Sequence, residues 1–368
     1  MNIMRKLLKS FLSTHFPEFL DFLRRFSNYF LWQKVNQSLY FRPPIQESEL
    51  QRWESLPTQQ LDIEFTNICN ANCVFCGYQY QQRPHATMTN ELFAKALHQF
   101  KALGGTQLVI SPLVGESLID GQCLEKLELA GKMGFDSILF ITNGILLERT
   151  DVSRLLKSGI TGISISMSGF DANEYERIYR NRSYPKLLRG IQKLFKTNEQ
   201  LNYPVNIIVN VRSDTLDYIN LKRPDFVNLI QPYLREADAK NGTKCVRVGF
   251  APFFDSWGKM IQQKDLPPGM RLGKIYPNKK IPCYGTFNLK LLHDGKVEVC
   301  GCRFSHLGPP DELLMGNLHE TTLQEIWSSE RLKNFRRRFG TGNIPYICKT
   351  CHYYFPADQY SPVFRKIK

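Results

Sequence analysis

The stretch NICNANCVFCGYQYQQ, residues 67–82, places Cys69, Cys73 and Cys76 within eight residues. Tetrahedral zinc prefers paired cysteines that add up to four ligands, and a disulfide framework needs an even number. A cubane [4Fe–4S] cluster has four irons, so three thiolates leave one iron open to a ligand that is not protein. Spacings of four and then three residues suit a loop that wraps one face of such a cube. A fragment of a zinc site, or three buried thiols, is the alternative.

The ten cysteines are too few for a disulfide scaffold in a chain of 368 residues. Besides the first three, five lie in the last third of the sequence, namely Cys283, Cys300, Cys302, Cys348 and Cys351. Clustered thiols without a secretion signal indicate metal ligands in a reducing compartment. The first residues lack a long apolar segment with a cleavage site, and no apolar run of ~18 residues could span a bilayer. We therefore expect a cytoplasmic protein.

Residues 1–60 are predicted to form a helical extension. Apolar side chains recur at helical spacing over 4–12 and 19–30, and Pro17 marks a break between two helices. Basic residues lie among them, namely Arg5, Lys6, Lys9, Arg24 and Arg25. Such a basic amphipathic segment can pack on the neighbouring domain, dock a partner or lie on an anionic membrane surface. The sequence leaves these options open, including peripheral membrane docking through residues 1–40.

Residues 61–265 alternate short apolar runs with amphipathic helical stretches, which predicts an α/β fold with a parallel sheet. The predicted strands are 61–65, 107–111, 137–142, 162–168, 205–211 and 245–250. The predicted helices are 89–103, 120–133, 149–158, 171–196 and 215–235. A full barrel needs eight βα units, so six predict a partial (β/α)6 TIM-type barrel that is open on one side. No glycine-rich dinucleotide-binding motif follows the first strand, which argues against an open nucleotide-binding sheet.

Residues 275–357 are predicted to form a small C-terminal domain of a β-hairpin and a helix. The stretch FNLKLLHDGKVEVCGC, residues 287–302, predicts a hairpin that turns on Asp294-Gly295, a favoured pair for a two-residue type I′ turn. Such a turn would place Cys300 opposite Leu289. The stretch TTLQEIWSSERLKNFRRRF, residues 321–339, predicts the helix.

The C-x3-C-x-aromatic-C pattern, with Phe75 before the last cysteine, resembles the radical S-adenosylmethionine (SAM) enzymes when it follows the first strand of a βα barrel. The resemblance implies that Cys69, Cys73 and Cys76 hold a [4Fe–4S] cluster and that SAM chelates its open iron. It also implies that reduction cleaves SAM to a 5′-deoxyadenosyl radical, which abstracts a hydrogen atom.

The segment LVGESL, residues 113–118, is similar to the Gly-Gly-Glu-Pro that the family usually carries after the second strand. Val114 replaces the first glycine and Ser117 replaces the proline, so the match is partial. The resemblance implies that Gly115 and Glu116 contact the amino group of SAM. A carboxylate suits an ammonium, and glycine lets the backbone come close.

Two further motifs resemble those that follow the third and fourth strands of the family. Thr142 and Asn143 stand in a Thr-Asn-Gly sequence, which implies that they line the SAM pocket. Ser166 would face the ribose or the carboxylate of SAM. Ser168 replaces the usual aspartate of that fourth-strand segment.

A basic residue for the SAM carboxylate is implied about a dozen residues after the fourth strand. Arg180 matches the family's arginine, although Asn181 replaces the glycine that usually follows it. Arg177 and Arg182 are neighbouring alternatives. The resemblance favours Arg180.

The C-terminal cysteines resemble an auxiliary-cluster domain, called SPASM or twitch, that many radical SAM enzymes carry. The spacing of Cys283, Gly295 and Cys300, and the later pair Cys348 and Cys351, imply one auxiliary [4Fe–4S] cluster held by these four cysteines. The hairpin pairing would bring Cys302 closer to Cys283, so Cys302 stays open as an alternative ligand. A structural zinc site is the other interpretation.

The resemblance predicts a radical SAM oxidoreductase that abstracts a hydrogen atom from a peptide or a sugar or aminocyclitol, with flavodoxin or ferredoxin as reductant. A fully ligated auxiliary cluster would accept the electron and give net oxidation. The alternatives are an epimerase, an RNA-modifying enzyme suggested by the net charge of +14, and a zinc-stabilised binding protein. No motif of interleaved basic and aromatic residues is present, so a nucleic-acid partner is disfavoured. No individual catalytic residue is assigned.

Overall fold

The computed structural model describes residues 30, 32–58, 60–238, 240–251, 253–300 and 311–360. The strands are β1 (Leu61–Ile63), β2 (Gln107–Ile110), β3 (Ser137–Thr142), β4 (Gly162–Met167), β5 (Asn206–Val211), β6 (Val246–Phe250), β7 (Phe253–Phe254), β8 (Arg271–Leu272), β9 (Leu289–Leu291), β10 (Lys296–Val299) and β11 (Leu314–Asn317). The α-helices span 32–41, Glu47–Glu54, Asn90–Ala102, Cys123–Lys132, Val152–Lys157, Ala172–Tyr179, Tyr184–Gln200, Asp217–Asn220, Leu323–Ser328, Glu330–Gly340, Tyr346–Lys349 and Ala357–Tyr360.

The first six strands form a parallel sheet in sequential order, β1-β2-β3-β4-β5-β6, with the helical segments between them. Large apolar side chains on one face of each strand, such as Ile63, Ile110, Phe140 and Ile165, are fully buried. Because β1 and β6 do not pair, the sheet is a barrel open on one side, as the six βα units predict. The carboxyl ends of these parallel strands share one edge, where the functional loops begin.

The C-terminal hairpin extends this sheet. β9 pairs in parallel with β1, β10 pairs antiparallel with β9, and β11 pairs antiparallel with β10. The sheet therefore runs across the segment 265–275 that the sequence suggests as a boundary, and the domain limits 1–60, 61–265 and 275–357 stay predictions.

The register of the hairpin differs by one residue from the predicted one. Val299, and not Cys300, pairs with Leu289, and Leu292 donates to the carbonyl of Lys296. The loop therefore has three residues and ends on Gly295, which adopts φ +84°. A three-residue loop closed by a glycine in the left-handed region is a common alternative to the two-residue turn.

Two predicted helices are broken. The segment 171–196 forms two helices separated at Arg180, whose φ of +49° ends the first one, and Pro185 lies in the first turn of the second. The segment 215–235 contains only short helical pieces, because Pro224 and Pro232 each remove a backbone donor. The predicted docking segment 1–40 falls mostly outside the described residues and stays a prediction. No helix in the described part of the chain has the length and apolar composition needed to cross a bilayer.

Candidate active site at the carboxyl edge of the barrel

The cysteine loop, residues 67–82, begins just after β1 and is held by long-range backbone contacts. The Val74 N–H donates to the carbonyl of Ile178 at 2.9 Å. The Trp257 indole N–H donates to the carbonyl of Phe75 at 3.0 Å. Since these partners come from distant parts of the chain, contacts with the rest of the fold set the path of the cysteine loop.

The three thiols of this loop lie close enough to interact electrostatically. Burial raises the pKa of the Cys69 thiol to about 12, and burial followed by the neighbouring Cys76 and Cys69 raises that of Cys73 well above its ordinary value. The Arg212 guanidinium acts in the opposite direction on the pKa of both Cys73 and Cys76. Thiols bind metals as thiolates, so a bound cation would stabilise the ionised form that burial disfavours in all three cysteines. The chemistry of this donor set therefore fits a metal cluster.

Glu116 follows β2 and is 1% exposed. Its Oε1 accepts the Thr142 hydroxyl at 2.7 Å and the Leu118 N–H at 3.1 Å, and its Oε2 accepts the Asn143 N–H at 2.6 Å. Burial raises the pKa of this carboxyl, while these hydrogen bonds lower it. A carboxylate offers about four lone-pair positions, so Oε2 keeps one for a further donor. Glu116 thus connects the loops after β2 and β3.

The loops after β2 and β3 both pack against the start of the cysteine loop. Gly115 adopts φ +150°, and a Cβ atom there would lie 2.3 Å from the carbonyl oxygen of Thr66. The Asn143 amide donates to the Asn70 side chain at 2.7 Å and lies 3.8 Å from the Cys69 sulfur. Only glycine allows the backbone at position 115 to come this close to the Thr66 carbonyl.

Among the three candidate arginines, Arg180 alone borders the site in the described residues. Arg177 and Arg182 form ion pairs with carboxylates at 2.6 Å. Arg180 contacts the Gln79 side chain at 3.1 Å and lines an open cavity of about 330 Å³ beside Cys69. The geometry therefore favours Arg180, as the resemblance does.

Ser166, at the end of β4, belongs to a polar group that includes two residues the sequence analysis did not identify. Its hydroxyl is 2.9 Å from the Tyr179 hydroxyl, and Arg212 Nε donates to it at 2.8 Å. The Arg212 guanidinium also lies over the Phe75 ring, 5.2 Å from its centroid. Arg212 directly follows β5 at the carboxyl edge. Because residues at this edge line the site of such a barrel, this position in the sequence could have identified Arg212 as a site residue.

A second group of thiols forms from Cys283, Cys300, Cys348 and Cys351. Burial and the proximity of Cys351, Cys300 and Cys283 all raise the pKa of the Cys348 thiol. Burial and then Cys300 raise the pKa of Cys283 to about 11. The Phe355 N–H donates to the Cys283 sulfur at 3.5 Å. These four residues come together from three separate segments, and they fit a cluster with a thiolate for each iron.

Cys302 lies outside the described residues, so its role as a ligand stays a prediction. In the part of the chain that is described, no three His, Cys, Asp or Glu side chains converge on a point suited to a single metal ion. The ligands of a cubane bind different irons, so they need not converge in that way.

The tip of the C-terminal hairpin reaches the cysteine loop. Leu292 packs with Leu113 and Val114 in a small buried cluster, and Cys76 and Tyr78 pack against this cluster. The C-terminal region therefore borders the first group of thiols directly, across the edge where β1 and β2 end.

Comparison with protein families agrees with this architecture. Residues 63–220 match the radical SAM superfamily, and residues 283–352 match SPASM, described as an iron–sulfur cluster-binding domain. The chain therefore contains a radical SAM domain followed by a SPASM domain. It is therefore a radical SAM enzyme whose cofactors are SAM and a [4Fe–4S] cluster, with an auxiliary iron–sulfur cluster in its SPASM domain.

Individual relatives are distant. A probable GTP 3′,8-cyclase of Methanopyrus kandleri is 24% identical over 253 residues, covering 65% of this chain and 80% of the relative. The structure of BtrN in complex with AdoMet and 2-DOIA has a TM-score of 0.52 at 13% identity, covering 82% of this chain and 96% of BtrN. Streptococcus suis SuiB bound to precursor peptide SuiA has a TM-score of 0.55 at 14% identity, covering 84% and 75%. At these identities the two structures establish the fold alone.

Proposed function

We propose that this radical SAM enzyme is an oxidoreductase that takes a hydrogen atom from an unactivated carbon of a sugar, aminocyclitol or peptide and leaves it oxidised. The observation that carries the proposal is the group of four C-terminal thiols, Cys283, Cys300, Cys348 and Cys351. Four protein thiolates would leave no iron of an auxiliary cluster open to a substrate. On oxidation the substrate radical loses one electron and one proton. When bound, such a cluster would accept that electron.

Cys69, Cys73 and Cys76 would hold the first cluster at three irons and leave the fourth for SAM. When bound and reduced by a flavodoxin or ferredoxin, this cluster with SAM supplies a 5′-deoxyadenosyl radical that takes a hydrogen atom. The hydrogen bonds that Glu116 accepts from Thr142 and Asn143 hold together the loops after β2 and β3, which pack against the start of the cysteine loop.

The polar residues of the edge would bind SAM. The unused lone pair of Glu116 Oε2 suits the ammonium of SAM, and the Gly115 backbone leaves space for it. Arg180 would bind the carboxylate beside Cys69, while Thr142 and Asn143 would line the SAM pocket through their contacts with Glu116. Ser166, held by Arg212 and Tyr179, would face the ribose.

A second candidate is a radical cyclisation of a nucleotide, because the curated relatives are named GTP 3′,8-cyclases. Such a reaction rearranges its substrate without net oxidation. The structures of BtrN with 2-DOIA and of SuiB with SuiA motivate the first candidate, since they share the fold and are named with a small molecule and a peptide.

The two candidates differ in the mass of the product. Anaerobically reconstituted enzyme would be incubated with SAM, dithionite and each of 2-DOIA, GTP and SuiA, and the products weighed by mass spectrometry. Oxidation gives a product lighter by two hydrogen atoms, with one 5′-deoxyadenosine formed for each product. A GTP product of unchanged mass would favour cyclisation. A product whose mass is unchanged in H2O, but which gains one carbon-bound deuterium when the reaction is run in D2O, would instead indicate an epimerase.

Variants of the auxiliary site provide the matched control. Cys351→Ala should keep SAM cleavage but lose the oxidised product, because the electron acceptor is missing. Cys245→Ala removes a thiol that donates to Asn206 Oδ1 and belongs to neither group of cysteines, so it should keep both. Full oxidation by Cys351→Ala would contradict the proposed role of the auxiliary cluster.

A further inference from the structure

Lys279 lies against the turn that carries two of the C-terminal thiols. Its side chain is 2% exposed. Its Nζ donates to the backbone carbonyls of Cys348 and Cys351, the latter at 3.0 Å, and lies 3.4 Å from the carbonyl of Lys349. A buried ammonium is thus fixed against the backbone of two of the four cysteines.

A fixed positive charge at this place acts on the auxiliary site because charges interact strongly where water is excluded. A cubane with four thiolates is an anion, and reduction adds one more negative charge. Net charge near the cluster and hydrogen bonds to its sulfurs are among the factors that set its reduction potential. An ammonium stabilises the reduced form more than the oxidised form, and so raises the potential.

Backbone donors act in the same direction. The Tyr353 N–H donates to the Cys351 sulfur at 3.3 Å, and the Phe355 N–H donates to the Cys283 sulfur at 3.5 Å. Both come from the segment that follows the last cysteine. Lys279 is the contribution that a single substitution can remove.

We propose that Lys279 is the counter-charge of the auxiliary cluster and raises its reduction potential, so that the cluster accepts an electron readily. The benefit of a raised potential rests on the proposed function, in which the auxiliary cluster accepts an electron. The potential itself can be measured without any substrate. The alternative is that Lys279 only holds the Cys348–Cys351 turn through its hydrogen bonds.

Lys279→Gln removes the charge and keeps hydrogen-bond donors, while Lys279→Arg keeps the charge. Lys280→Gln is the matched control, because the Lys280 ammonium also donates to two backbone carbonyls, those of Tyr40 and Arg42, away from the thiols. The holoenzyme of each variant would be titrated anaerobically with EPR detection. The auxiliary cluster is the one whose signal SAM does not change.

At a fixed potential, the ratio of reduced to oxidised auxiliary cluster should fall at least tenfold in Lys279→Gln, equivalent to ~59 mV for a one-electron couple. It should change less than about twofold in Lys279→Arg and Lys280→Gln. If Lys279→Gln loses the auxiliary iron and Lys279→Arg keeps it, the charge is required, which also supports the proposal. An unchanged potential in Lys279→Gln, or loss of this iron in both variants, would overturn it. If Lys279→Gln shifts the potential but the wild-type enzyme gives no oxidised product, the role of Lys279 as counter-charge is supported. Only the proposed oxidation is then refuted.

Discussion

The Glu64 carboxylate, just after β1, contacts His293 Nδ1 at the tip of the C-terminal hairpin at 2.8 Å, across 229 residues of sequence. Arg83 donates to both oxygens of the same carboxylate, at 2.6 and 3.0 Å. All three side chains are largely or fully buried. One carboxylate therefore joins the barrel, the end of the cysteine loop and the hairpin.

Glu64→Gln should destabilise the protein. The substitution leaves the Arg83 guanidinium, whose side chain is 13% exposed, without its negative partner. Removing one member of a buried ion pair costs about 3–5 kcal/mol. Equilibrium unfolding in urea should show a lower midpoint for Glu64→Gln than for the wild type. Glu320→Gln, at an exposed position, is the control, and equal midpoints for all three proteins would contradict the prediction.

The same carboxylate predicts an acid-sensitive fold. Burial alone would raise the pKa of Glu64, but hydrogen bonds from His293 and Arg83 lower it to about 2, from an ordinary 4.5. A lowered folded-state pKa gives stability that is present above pH 4.5 and is lost as pH falls from there toward about 2. The unfolding free energy should decline by up to about 3 kcal/mol in this range. Glu64→Gln should show a correspondingly smaller decline, and parallel curves would disprove the link.

The barrel could be predicted from sequence because its information is local. Each strand carries a short apolar run, and each ends near a residue whose type suits the site, such as Glu116, Asn143 or Ser166. Parallel strands share a carboxyl edge, so the convergence of these residues follows from the order of elements alone. The breaks near Arg180 and at Pro224 were also visible locally, since Pro185 and Pro224 interrupt the two segments, but helical periodicity on both sides obscured them.

The long-range polar contacts could not be predicted. Nothing near Glu64 in the sequence indicates His293, and nothing near Lys279 indicates the carbonyls of Cys348 and Cys351. The contact between Glu64 and His293 depends on how β9 lies beside β1, and the hairpin register differs by one residue from the one that Asp294-Gly295 suggests. An error of one residue in the register changes which side chains face each other. A prediction can therefore have the right fold and still give the wrong contacts in the site.

Gly115→Ala should impair the site more than a second glycine substitution on the same loop. Its φ of +150° strains any side chain, and the new Cβ would lie 2.3 Å from the Thr66 carbonyl. Strain of this kind costs about 1–3 kcal/mol. Gly121→Ala meets nothing within 4 Å and serves as the control. The midpoint of thermal unfolding and the affinity for SAM should both fall for Gly115→Ala and not for Gly121→Ala. Unchanged values for Gly115→Ala would contradict the prediction and show that the backbone shifts to accept the Cβ atom.

Glu116→Gln should weaken SAM binding about tenfold or more, because an amide nitrogen would replace one acceptor among three donors and the charge for the SAM ammonium is lost. Equilibrium dialysis of the reconstituted, unreduced enzyme measures this affinity directly. Glu128→Gln removes a carboxylate that pairs with Arg154 on the surface and should bind SAM normally. Equal affinities for the two variants would exclude Glu116 from SAM binding.

Replacement of Cys73 separates a cluster ligand from a merely buried thiol. Cys73→Ala leaves two thiolates in the cysteine loop, so the enzyme should bind about four irons per chain in place of about eight, and should no longer cleave SAM. Cys123 is also buried, at 3% exposed, but begins the helix Cys123–Lys132 and belongs to neither group of thiols. Cys123→Ala should therefore keep its iron and its activity. Iron and sulfide assays, with 5′-deoxyadenosine measured by chromatography, test both variants. Full iron content and SAM cleavage in Cys73→Ala would show that this cysteine is not a ligand. The proposed cluster, held by three cysteines with its fourth iron open to SAM, would then be wrong.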